Sequence, residues 1–196
     1  MEIRKEKTWV KNVCLVFLVT GFIYGIILPF CWHNDPMDPL GTLSHLCENR
    51  KIWFWLWTLL SGGGLFLNLQ YMYRKYGGAN RLIRLLPAAA LLSVIVIALT
   101  LGHSIADWNP KRVAHWIATG AYVAFLGLSV VIYALANIRK GKIFRLLLIS
   151  SLAILALFLG WFIIIGKNGL LEIIPNLLIQ IVLFFVNFII DKPKRK

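Results

Sequence analysis

The chain has 196 residues, of which 59% are apolar and only 15% charged, and its mean hydropathy is +0.75. A water-soluble domain carries about 25% charged residues, so this composition excludes a disordered chain and an ordinary soluble globule. The net charge of +13 would suit a nucleic-acid partner, but no basic stripe lies on an extramembrane domain able to dock one, and none is expected.

A helix needs roughly 20 mainly apolar residues to cross a bilayer core about 30 Å thick. Six stretches qualify: 12–31, 52–73, 85–102, 113–136, 146–165 and 170–190. None alternates apolar and polar residues as a barrel strand would. The expected fold class is therefore all-α: a polytopic membrane bundle of six transmembrane helices, one domain over 1–196 with no soluble domain. The first stretch follows a basic start, but it is long and ends in Pro29-Phe30-Cys31-Trp32, without the small residues a signal peptidase needs. It is read as an uncleaved signal anchor. The third is the shortest and gains Leu82 and Ile83 if Arg84 snorkels. Gly21 and Gly25 in the first stretch form a small-xxx-small pair, and Gly62 to Gly64 thin the second, as close helix packing requires.

Sixteen of the 21 Lys and Arg residues fall in the N-terminal tail, the second and fourth connections and the C-terminal tail. The other five (Arg50, Lys51, Lys111, Arg112 and Lys167) lie in the alternate connections. By the positive-inside rule both termini face the cytoplasm, and the expected location is the cell membrane. The basic segments then also attract anionic headgroups, so membrane lipids are expected partners.

All four histidines (His33, His45, His103 and His115) and five of the eight acids (Asp35, Asp38, Glu48, Asp107 and Glu172) fall on the outer side in this orientation. Ionisable groups crowded at a bundle edge are functional candidates. In the first outer loop, Asp35-Pro36 and Asp38-Pro39 pair a cap residue with a first-turn proline. A short interfacial helix from Pro39 would follow, or the aspartates act only as caps. In the second, Asn109-Pro110 opens the fourth helix and places His115 about one and a half turns in. If the third helix continues past Gly102, His103 and Asp107 share a face.

His45, His103, Asp107 and His115 would suit a zinc-like divalent ion, though there is neither HxxxH nor HExxH. A serine hydrolase drawn from Ser44 or Ser104 with a histidine and Asp107 lacks the GxSxG elbow. Haem is not expected, because paired haems need histidines near both membrane surfaces. Cys31 and Cys47 bracket the first outer loop; a disulfide between them and free thiols are both open readings. Cys14, inside the first span, should be a packed thiol. In the sixth span Glu172, Asn176 and Gln180 are spaced by four and line one face, with Asn187 beyond them. That stripe is either interhelical glue or the lining of a substrate site.

Two features, Thr42-Leu-Ser-His45 leading towards the second helix and His115-Trp-Ile-Ala-Thr-Gly-Ala121 near the start of the fourth, resemble the DRAM-like six-helix membrane proteins and their prokaryotic relatives. The lipid-remodelling factor of GPI anchors is similar to that group. The family shows a small residue near the place of His45, and this chain departs from it. The resemblance implies a lipid-facing role.

The leading expectation is a membrane protein that binds or processes a lipid or other amphiphile at the outer leaflet. His45, His103, Asp107, His115 and Glu172 would form its polar site, with His33, Asp35, Asp38, Ser44, Ser104, Asn176 and Gln180 as secondary candidates. If catalytic, it would be a membrane-embedded, metal-dependent hydrolase or transferase. The alternatives are a substrate-capturing or accessory subunit of a transporter, with partner subunits in the membrane, and a structural or regulatory subunit without a catalytic site.

Overall fold

The computed structural model describes residues 7–30, 47, 50–101, 109–166 and 168–190. Six helices in it are long and apolar enough to cross a membrane, which fits an integral membrane protein, and no strand occurs among the described residues. They are α1 (Thr8–Phe30), α2 (Lys51–Tyr76), α3 (Arg81–Leu99), α4 (Pro110–Asn137), α5 (Lys142–Ile164) and α6 (Gly169–Ile189). The cap of α4 is as expected: Asn109 Oδ1 accepts from Arg112 N at 2.9 Å ahead of Pro110. Asn80 and Asn168 close the first turns of α3 and α6 in the same way, each at 2.9 Å. In each case the side chain takes a backbone N–H that has no carbonyl partner inside the helix.

Helix ends differ from the apolar runs in both directions. Arg81 and Arg84 lie within α3, and α2 continues to Tyr76, because a backbone in or near a membrane keeps its hydrogen bonds by staying helical. Lys75, which reads as a loop residue in the sequence, is buried: its Nζ donates to the Asn187 carbonyl at 2.6 Å and lies 5.0 Å from the Tyr76 ring centre. At its other end α3 stops at Leu99, with the Thr100 hydroxyl on the Val96 carbonyl at 2.8 Å and Leu101 outside any helix. His103 and Asp107, expected on a shared helical face beyond Gly102, lie outside the described residues.

The end of the bundle that carries the N-terminus, here the basic end, is an aromatic core. Tyr73 and Tyr133 meet at a tilt and Tyr133 and Phe144 edge to face, with ring centres 4.6 and 5.7 Å apart. The tyrosine hydroxyls are bonded: Tyr73 donates to the Ser129 carbonyl, Tyr133 to that of Gly77 and the neighbouring Tyr76 to that of Val186. A second core, nearer the opposite end, joins Phe54, Trp57, Val94, Ile97 and Tyr122.

Lipid tails are as apolar as leucine, so contact geometry and polar pairs decide which helices meet. Both are visible where α1 crosses α2. A Cβ on Gly21 would stand 2.5 Å from the Leu60 carbonyl oxygen, and one on Gly64 would stand 2.9 Å from that of Phe17. Between them, at Thr58–Gly62, α2 takes one π-helical turn, and its widened backbone bears on Gly21. Asn68 ties the crossing by donating to the carbonyls of Cys14 and Gly64, at 2.8 and 2.9 Å. Cys14 is the packed thiol expected.

Candidate functional site

The polar stripe of α6 divides into two parts. Its deeper members are bonded across helices: Gln180 Nε2 donates to Ser61 Oγ at 2.7 Å, and Asn187 Nδ2 to the Asn68 carbonyl at 3.1 Å. They act as interhelical glue. The upper members, Glu172 and Asn176, instead reach a cavity of about 230 Å³ between α4, α5 and α6, with α2 and α3 behind it.

The cavity is apolar along most of its length and polar at the end away from the basic face. Phe54 and Trp57 of α2 and Ile97 of α3 form its back wall. From α4 come His115, Thr119, Tyr122 and, about two turns deeper, Val130. From α5 come Ser151, Leu155, Phe158 and Phe162, a spacing of four, three and four that keeps one helical face on the cavity. At 1.5 Å per residue, the eleven residues from Phe162 to Ser151 span about 16 Å. The shape is a slot about one lipid chain deep.

At the polar end the partners are specific. The His115 ring is buried, and its Nδ1 lies 3.1 Å from the Thr100 hydroxyl. That hydroxyl lies closer still to the Val96 carbonyl, at 2.8 Å, which can only accept. Across the slot the Tyr122 hydroxyl donates to Asn176 Oδ1 at 2.7 Å, and Asn176 Nδ2 donates to the Glu172 carbonyl at 3.0 Å. Glu172 stands in the first turn of α6, where a negative charge is favoured by the helix dipole. Pro175, with no N–H, deprives the Leu171 carbonyl of its usual partner four residues on, and both residues line the slot.

Cys47 lies beside this end, fully buried, with its thiol free. Burial and the Glu172 charge, in that order, push the thiol up to about 12. It is held protonated and is a poor nucleophile or metal ligand in this state. Cys31 lies outside the described residues, so a bond between Cys31 and Cys47 forms no part of the described structure.

Of the expected polar site, the structure thus brings His115, Glu172 and Asn176 to one cavity and sends Gln180 to Ser61. His33, Asp35, Asp38, Ser44, His45, His103, Ser104 and Asp107, and the helix expected from Pro39, lie outside the described residues. Among the described residues no three His, Cys, Asp or Glu side chains gather as a metal set; of the expected ligands only His115 is described. Tyr122 and Ser151 were not anticipated as lining residues. Tyr122 had a signal, since a tyrosine two turns after His115 falls on the same face of α4. Ser151 had none among the apolar residues around it.

No family model, no curated protein and no solved structure matches the chain.

Proposed function

We propose that this protein binds an amphiphile within the bundle, with the apolar chain in the slot and the polar head at the His115 and Glu172 end. The observation that carries the reading is the join of the two surfaces. A deep apolar slot ends where an imidazole, a carboxylate and the Tyr122–Asn176 pair converge. Ligand sites have this character: apolar walls with a few placed polar groups. An interior formed only for packing would be filled at close to crystal density.

The charge distribution puts the termini in the cytoplasm and the polar end at the outer leaflet of the cell membrane. The resemblance to DRAM-like proteins agrees with a lipid-facing role. Among the described residues, Cys47 is protonated and buried and Ser151 has no hydrogen-bond partner, so the reading is one of binding.

The test is mass spectrometry of lipid retained by the detergent-purified chain. The wild type should hold one amphiphile per chain above the bulk lipid background. Val123→Trp, which fills the slot, should lose it, and His115→Ala with Glu172→Gln should weaken retention about tenfold or more, as expected for lost charge-assisted hydrogen bonds. A wild type without specific lipid, or a filled slot that retains it equally, would overturn the reading.

A further inference from the structure

Two glycines of α4, Gly120 and Gly127, break the pattern set by Gly21 and Gly64. A Cβ on either would meet nothing within 4 Å, so neither exists to let a neighbouring helix approach. Only Gly127 lines the slot, and it is also exposed on the outside of the bundle. On α5, Leu155 both lines the slot and is 41% exposed. At Gly127 and Leu155 the wall between slot and surroundings is missing on one side and a single side chain thick on the other. This place is on the flank of the bundle, about 26 Å along α4 from Pro110, well away from either end. In a spanning helix it faces hydrocarbon.

A second observation lies at the same level. Ser151, one turn before Leu155 on the cavity face of α5, is 93% buried, since its exposure is 7%, and its hydroxyl has no hydrogen-bond partner. Its neighbour Ser150 shows the usual solution, a bond to the carbonyl four residues back at 2.7 Å. Ser151 points to the slot and forgoes that bond. A buried hydroxyl left unpaired is destabilising by about 1–3 kcal/mol, and in an apolar slot the natural source of a partner is whatever fills it.

Resting on the reading that the slot holds an amphiphile, we propose that the ligand is a lipid whose chain carries a hydrogen-bonding oxygen along its length. It is admitted sideways from the bilayer through the gap at Gly127 and Leu155. The head stays with His115 and Glu172, and the chain oxygen, about 16 Å deeper by the rise of α5, meets the Ser151 hydroxyl. Lateral admission keeps the chain in hydrocarbon throughout, so no apolar length crosses water on the way in.

The experiment uses the full-length protein in phosphatidylcholine vesicles doped with a photoreactive palmitate. Plain palmitate and a mid-chain hydroxylated palmitate serve as competitors. Gly127→Leu closes the gap, and because its site is open space and leucine favours helix, it should fold. Gly120→Leu is the matched control, open but off the slot. The wild type and Gly120→Leu should be labelled at slot residues, and Gly127→Leu at least tenfold more slowly. The hydroxylated competitor should displace the probe better than plain palmitate in the wild type, with that preference lost in Ser151→Ala. Equal labelling rates in Gly127→Leu and wild type, or a competitor preference unchanged by Ser151→Ala, would overturn the proposal while leaving slot binding intact. No slot labelling of the wild type would instead overturn the function on which it rests.

Discussion

Cys47 and Glu172 make the polar end of the slot measurable through one thiol. Burial and the carboxylate raise the Cys47 thiol from its ordinary value near 9 to about 12. The folded state therefore holds that proton more tightly than the unfolded chain does. Its stabilising effect is complete below pH 9 and is lost as the pH rises towards 12. Maleimide labelling of the folded protein at pH 8 should be very slow, becoming fast only on unfolding, and Cys47→Ala should remove part of the alkaline fall in stability. Glu172→Gln deletes the smaller of the two causes, so the onset of labelling should move to lower pH without reaching that of a free thiol. An onset unchanged by Glu172→Gln would mean that the carboxylate does not face Cys47. The same residues show how far the site could be read beforehand. His115 and Glu172 stand out in sequence because an ionisable group near hydrocarbon is costly, whereas Leu126, Val130 and Leu155 look the same whether they face lipid, a neighbouring helix or a cavity.

At the scale of the helices, bilayer thickness makes the count legible, since a run of about 20 apolar residues has few other uses. Helix ends are less legible. Lys75 and Arg84 continue their helices because a long basic side chain can find a carbonyl or the interface while its backbone stays helical. The π-turn at Thr58–Gly62 has no composition of its own and arises where α2 presses on α1. That crossing gives a test of glycine by position. Gly21→Ala drives a methyl group towards the Leu60 carbonyl, with backbone on both sides and nothing flexible to yield. It should destabilise by about 1–3 kcal/mol, in the range of overpacked cores. Gly63→Ala, one helix away with open space at its Cβ, should be neutral or stabilising by up to about 1 kcal/mol through its backbone preference. Thermal unfolding of both variants in one detergent decides the matter. Equal losses would mean that the crossing is looser than the structure places it.

For the whole molecule, the arrangement of the bundle separates two polar faces of different chemistry. The basic end gathers Lys75, Asn187 and the three bonded tyrosines into a closed core, while the opposite end holds the cavity with His115 and Glu172. The orientation proposed from the distribution of Lys and Arg, sixteen against five in alternating segments, has the closed end in the cytoplasm, because positive loops resist translocation. Fusions supply the test. A green fluorescent reporter after Lys196 should fluoresce and a phosphatase there should be inactive, whereas a phosphatase inserted in the 32–51 segment should be active. Neutralising Arg139, Lys140, Lys142 and Arg145 together should raise the fraction of misoriented chains while the tails still hold most of the population. The source of the proposed amphiphile depends on the same result. If the C-terminal phosphatase were active, the His115 end would open to the cytoplasmic leaflet, and a lipid taken up there would have to come from that leaflet.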